Sequence, residues 1–194
     1  MYNISASPRI SHCTFNADSA SNNGGAIYNV NSSPVIINTI IHGSIPNGVI
    51  NSGGNSAVSY SLVQGGFAGI GIVDADPLFI DADGDDETVG TADDNLRLQE
   101  ASPAIDAGDT TGLSLEDITD LDGNPRAPDD LETIDTGLSI VIPLTGENAF
   151  TDIGAYEFQP VDPCANTLDA DINCDGQVNL TDLALLALQW LQTP

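Results

Sequence analysis

The sequence predicts a mainly β chain: a right-handed parallel β-helix of about three to four turns, with a small EF-hand-like loop and helix at its C-terminus. Three observations predict the coil. Short apolar runs recur in register: PRISHCTF at 8–15 aligns with PVIINTII at 34–41, and INTIIHG at 37–43 with SYSLVQG at 59–65, the second step slightly shorter than the first. No segment in this part has helical periodicity, and its frequent Gly and Asn disfavour a helix. The chain is also almost uncharged up to Val73, whereas all but one of its acidic residues lie from Asp74 onward.

Repeats of this length are single supersecondary units that cannot bury an apolar face alone, so stacking must supply the core. The alignment stacks Ile36, Thr39 and Ile41 on Ser61 and Val63 on one side and on Ile10, Cys13 and Phe15 on the other. GGAIYN at 24–29 and NGVIN at 47–51 form a second recurring strand. Gly and Asn belong at the corners, where tight bends need positive φ. A β-sandwich is the competing architecture, with strands at intervals of roughly 8–12 residues. Residue-for-residue register favours the coil, because a sandwich does not require it. His12 and His42 occupy Asn-like places in their rungs and read as corner or core residues.

Residues 74–109 form an acidic joint. Asp81, Asp83 and Asp85 alternate around Gly84, and Asp93 and Asp94 return after Gly90 and Thr91. Carboxylates curled about a glycine suit a calcium ion, which takes about six to eight oxygens. The expectation is a calcium-held loop at 81–94, inserted in the last coil turn; the plainer alternative is a solvated acidic loop. Leu96, Leu98, Ala104 and Ile105 then resume the strand pattern, so residues 1–109 make the coil. Residues 110–159 read as an irregular acidic closing segment, with DLDGNPR at 120–126 as a turn and LSIVIPL at 138–144 as a strand. DIGAYEF at 152–158 returns against the coil as a cap that protects its edge.

A linker at 160–168 leads to the last unit, 169–194. Residues 171–182 carry the D-x-N-x-D-G opening of an EF-hand loop. Asp171, Asn173 and Asp175 supply the first three calcium ligands, Gly176 the sharp bend, the Gln177 carbonyl the fourth, Asn179 a contact through water, and Asp182 the last. Leu180, Leu183, Leu185, Leu186, Leu188, Trp190 and Leu191 then fill nearly every side of a short helix, which needs two docking surfaces rather than one. Three cysteines allow one disulfide at most. Cys164 with Cys174 is the nearer pair, and three buried thiols are the equal alternative.

SPRISHCTF, GGAIYN, DPLFID, LRLQEASPAIDAGD, DLDGNPR and DIGAYEFQ occur in the order in which they occur in secreted bacterial β-helix proteins of the choice-of-anchor Q type, which residues 5–159 resemble. GGAI and CTF are also similar to repeats of polymorphic outer-membrane-type surface proteins. Asp in the last ligand place, with Val178 and Asn179, makes 171–182 similar to one calcium repeat of a type I dockerin. Dockerins pair two such repeats and this chain has one, so the helix from Leu180 to Leu191 either packs on the body, binds a cohesin-like domain, or pairs with a second copy. The resemblance implies an extracellular or cell-surface β-helix and no known reaction.

Composition narrows the partners. With 29 acidic against 3 basic residues the formal net charge is -26, and the basic residues are Arg9, Arg97 and Arg126. Nucleic acid and anionic membrane surfaces are poor partners, because binding them needs clustered cations. No run of about 18 apolar residues is present to span a membrane. Met1 leads straight into scaffold-like sequence without a basic-then-apolar leader, which suggests the tail of a longer product or a removed leader. A polysaccharide lyase or glycoside hydrolase is the enzymatic alternative. A lyase of this type needs a strong base, usually Arg or Lys, beside calcium-binding carboxylates, and lysine is absent. An inverting hydrolase needs two carboxylates roughly 6.5–9.5 Å apart, whereas the coil proper holds only Asp18. The expectation is therefore a non-catalytic, calcium-binding surface module with an adhesive, polysaccharide-associated or cohesin-tethering role.

Overall fold

In the computed structural model, residues 1–113, 118–126, 133–141 and 148–159 are described. The chain is mainly β, and its first part forms parallel ladders at the spacing of the sequence repeats. Strands β1 (Tyr2–Ile4), β2 (Arg9–Ser11) and β3 (Thr14–Asn16) are followed by β4 (Ile27–Val30), β5 (Val35–Ile37) and β6 (Ile40–His42), then by β7 (Val49–Ser52) and the longer β8 (Ala57–Val63). Each strand of the first set pairs with its counterpart one repeat on, as in Tyr2 with Tyr28, Ile10 with Ile36 and Phe15 with Ile41. The next, slightly shorter step pairs Ile27 with Val49, Ile36 with Val58 and Ile41 with Val63.

The bends stack as regularly as the strands. His12, Asn38 and Tyr60, related by the same two steps, have φ of 48°, 49° and 43°, and Ala17, Gly43 and Gly65 have 53°, 66° and 81°. An L-residue in this left-handed region is strained unless its surroundings hold it. Here Asn38 Nδ2 meets His12 Nε2 at 2.9 Å, and the His12 N–H donates to the Ile37 carbonyl at 3.3 Å. Inside, the Thr39 N–H donates to Ser61 Oγ at 3.2 Å, and the Cys13 N–H to Thr39 Oγ1 at 3.5 Å. Asn3 donates to Asn29 at 2.8 Å and Asn29 to Asn51 at 3.0 Å, so buried amides satisfy one another along the stack. Around them Ile10, Ile36, Val58, Ile41 and Val63 form one apolar cluster.

Beyond β8 the regular step ends. Strand β9 (Gly69–Val73) pairs with β8 in parallel after a much shorter connection, as in Val58 with Gly69. β10 (Phe79–Asp81) and β11 (Asn95–Leu98) then pair antiparallel, Phe79 opposite Leu98 and Asp81 opposite Asn95. Leu96 and Leu98 do resume a strand, as expected, but it runs antiparallel to β10 instead of adding a further parallel rung. The acidic loop is the connection of a hairpin, so the chain comes back alongside itself. Alternation of side chains has the same period in both senses and cannot reveal the reversal. Ala104 and Ile105 lie in a turn rather than a strand, yet both are buried with Ile40, Leu62, Phe79 and Leu98 in a second cluster.

The closing segment docks on that cluster. The Ile153 N–H donates to the Ala104 carbonyl at 2.9 Å, the Gly154 N–H to the Asn38 carbonyl at 3.0 Å, and the Ala155 N–H to Thr14 Oγ1 at 3.0 Å. DIGAYEF thus returns to the parallel part of the chain. A short antiparallel pair, β12 (Ile140–Val141) with β13 (Asn148–Ala149), precedes it. Met1–Phe158 form one compact unit. The linker, Cys164, Cys174, the ligand set Asp171, Asn173, Asp175, Gln177, Asn179 and Asp182, and the helix expected from Leu180 to Leu191 lie outside the described residues. Among the described residues no helix is long and apolar enough to cross a membrane.

Candidate functional site

The β10–β11 connection is the most highly charged part of the described chain, and its shape follows from its own polar groups. Gly84, at φ +63°, turns the loop, and a Cβ placed there would lie 2.7 Å from the Asp93 carboxylate carbon. Glycine is therefore required twice over, for the bend and for the close approach. Asp93 Oδ2 accepts from the Asp86 N–H at 3.2 Å, and Asp94 Oδ2 from the Gly90 N–H at 2.7 Å. Hydrogen bonds, first from the Thr91 hydroxyl and then from backbone N–H groups, hold the Asp93 carboxyl below its usual range. The loop has internal order that a count of its charges leaves out.

At its centre sits the Thr91 hydroxyl. Thr91 Oγ1 lies 2.6 Å from Asp93 Oδ1, 3.1 Å from the Thr88 carbonyl oxygen, 3.2 Å from Asp94 Oδ1 and 3.4 Å from Asp86 Oδ1. A hydroxyl has one proton to donate, and the shortest contact, to Asp93, takes it; the other three oxygens stand around it at about van der Waals separation. Of the sequence-selected residues, Asp93 and Asp94 meet here. Asp81 ends β10, Asp83 accepts from the Thr88 N–H through its backbone carbonyl at 2.9 Å, and Asp85 contributes its backbone N–H to Asp93. Asp86 and Thr91 were not selected. Their signal was the spacing D-x-x-x-x-T-x-D-D, which places both on one side of the turn. Among the described residues, no three His, Cys, Asp or Glu side chains form a ready-made group for a metal ion. The carboxylates surround a hydroxyl instead.

A second polar constellation fastens the hairpin to the closing segment. Asp120 Oδ1 accepts from the Asp122 and Asn124 N–H groups at 2.9 and 2.7 Å, shaping DLDGNPR as a turn, and Oδ2 accepts from the Glu157 N–H at 3.0 Å. Partial burial pushes the Asp120 carboxyl up, but these donors outweigh it and hold the group below its usual range. Arg97 grips Asp122 with two bonds of 2.6 Å and lies over the Tyr156 ring, 4.7 Å from its centroid. Arg126 donates to Glu157 at 2.8 Å with both side chains almost wholly buried. Glu157 also accepts from Thr151 Oγ1 and from the Asp152 N–H, while Asp152 accepts from the Asp106 and Phe158 N–H groups. Burial and the neighbouring Glu157 charge push the Asp152 carboxyl well up; burial also raises Glu157, against the pull of its donors and Arg126. The sequence motifs LRLQ, DLDGNPR and DIGAYEF are thus parts of one interlock.

No family model, curated protein or solved structure matched the chain.

Proposed function

We propose that the chain is a non-catalytic, calcium-stabilised module of a secreted or cell-surface protein, built as a right-handed parallel β-helix with a dockerin-like tail. The left-handed bends stacked one repeat apart support the coil, since one bend per side in each repeat is what a coiled chain needs. The observation that carries the calcium reading is the crowd of four oxygens around Thr91 Oγ1. A hard cation among them would draw the carboxylates of Asp86, Asp93 and Asp94 together around it, since without an ion they do not already form such a group. Asp81, Asp83 and Asp85 lie close enough in the chain to lend water-mediated or outer charge. The tail loop, through Asp171, Asn173, Asp175, Gln177, Asn179 and Asp182, forms a second calcium site in this reading. Its Leu180–Leu191 helix tethers the module to a cohesin-like domain or a second copy. The resemblance to choice-of-anchor Q proteins supports the surface location.

The lyase alternative asks for a free strong base. Two of the three arginines are committed to structure, Arg97 to Asp122 and Tyr156 and Arg126 to Glu157. The test is thermal unfolding in 10 mM calcium and in EGTA. A melting point that rises with calcium in the whole chain supports the reading, and superimposable curves overturn it.

A further inference from the structure

Beside the hairpin, a cavity of about 440 Å³ opens between β3, β6 and the β10–β11 loop, within the range of small-molecule sites, about 300–1,000 Å³. We propose that it binds the ring of a neutral saccharide; this rests on the surface-module reading above and supplies its ligand.

The polar lining keeps several acceptor atoms in reserve. Asn16 and His42 are register partners on adjacent strands, so their side chains stand side by side at the mouth. Among the described residues neither ring nitrogen of half-buried His42 has a partner. Asn16 uses its Nδ2 on the Ala82 carbonyl at 3.4 Å, which leaves its Oδ1 available, and Gln99 uses its Nε2 on the Phe79 carbonyl at 2.6 Å, which leaves its Oε1. Asp76 accepts from the Leu78 N–H through Oδ1 at 2.9 Å, and its second carboxylate oxygen has further capacity to accept. The set is rich in acceptors with one imidazole that both donates and accepts, and adjacent hydroxyls on a sugar ring supply the matching donors.

The rest of the wall is apolar: Phe79 is buried at the floor, and Val89, from the acidic loop, is about half exposed at the rim. Such a wall suits the C–H face of a pyranose ring, while a bare cation would gain nothing from it. Charge decides between neutral and acidic glycans. Asp76 lines the cavity, and Ala82 and Val89 bring the acidic loop to its wall, in a chain of net charge -26, so a polyuronate would be repelled. Because Ala82 and Val89 belong to the loop, its order shapes the pocket wall.

The experiment is native affinity electrophoresis of the whole chain in gels containing galactomannan, mixed-linkage β-glucan or polygalacturonate, the last with EGTA. Retardation is expected in at least one neutral gel and not in polygalacturonate. His42→Ala and Val89→Trp should each weaken it about tenfold, the loss of roughly one good contact. Val89→Trp fills the cavity from an exposed position, so it stays informative if His42→Ala fails to fold, which unfolding curves report. Absence of retardation in both neutral gels, retardation only by polygalacturonate, or binding unchanged in a folded Val89→Trp variant overturns the proposal. The calcium reading stands or falls separately, on the melting curves.

Discussion

Arg126 and Glu157 form an ion pair at 2.8 Å in which the side chains are 4% and 1% exposed, the most deeply buried charges that join the turn at 120–126 to the closing segment. Arg126 also donates to the carbonyls of Gly154 and Ala155, at 3.2 and 3.0 Å. Removing the cation leaves a buried carboxylate and two carbonyls without their donor. Arg126→Met is expected to lower the unfolding free energy by about 3–5 kcal/mol, the range for breaking one side of a buried pair. Urea unfolding of the two chains measures it; a loss under about 1 kcal/mol, the scale of an exposed pair, would show that the pair does not hold the cap.

Two carboxylates of this interlock should respond to pH in opposite senses. Asp152 titrates above its ordinary 3.8 in the folded chain, so the folded state binds the extra proton. Its contribution to stability is full below about that value and is lost as pH rises through the folded pKa. Asp120 titrates below 3.8, so its contribution is present above that value and is lost as pH falls through the folded pKa. The deficit of Asp152→Asn relative to the parent should therefore shrink as pH rises from 4 toward neutral, and that of Asp120→Asn should shrink on acidification below 4. Unfolding free energies at a series of pH values test both; two parallel offsets would refute the assignment.

The parallel ladders were legible because their signal is local and repeated. Ile10 and Ile36 announce one column, and Phe15, Ile41 and Val63 another, at spacings that need no knowledge of the third dimension. The hairpin was not legible, because Leu96 and Leu98 alternate identically whichever way the strand runs. Nor was the interlock: Arg126 and Glu157 lie 31 residues apart in a chain with 29 acidic residues, so the arginine's partner had no distinguishing mark in the sequence. The site around Thr91 was half legible. Its carboxylates were conspicuous, but a threonine becomes a centre only when the turn folds four oxygens onto it.

Gly154 tests how closely the closing segment approaches the parallel ladders. At φ +118°, a Cβ there would lie 2.8 Å from Ile40 Cδ1 and 3.1 Å from Thr14 Oγ1. Backbone strain and overpacking act together, so Gly154→Ala should cost about 2–4 kcal/mol. Gly90 has positive φ but open space around it, and Gly90→Ala should cost only the backbone term, about 1 kcal/mol. Equal losses in the two variants would mean that crowding at the cap contributes nothing.

Calcium should act on the body and the tail separably. If each site binds in the range of extracellular modules, about 10⁻⁴–10⁻³ M, then 10 mM calcium stabilises whatever folds around it by about 1.4–2.7 kcal/mol through mass action. Thr91→Val with Asp93→Asn removes two of the oxygens that crowd the hairpin and leaves the tail untouched, while Asp171→Ala with Asp182→Ala does the reverse. In the first variant the calcium-induced shift of the body's unfolding transition should vanish, with tail helicity still responding to EGTA. In the second the body should keep its shift. Thr91→Val alone removes both the hydroxyl that donates to Asp93 and one oxygen of the group, so it should cost more stability in calcium than in EGTA, where an exposed hydrogen bond is worth about 1 kcal/mol or less. If the loss is the same in calcium and in EGTA, the hydroxyl is an ordinary donor and the hairpin is held by its hydrogen bonds without an ion.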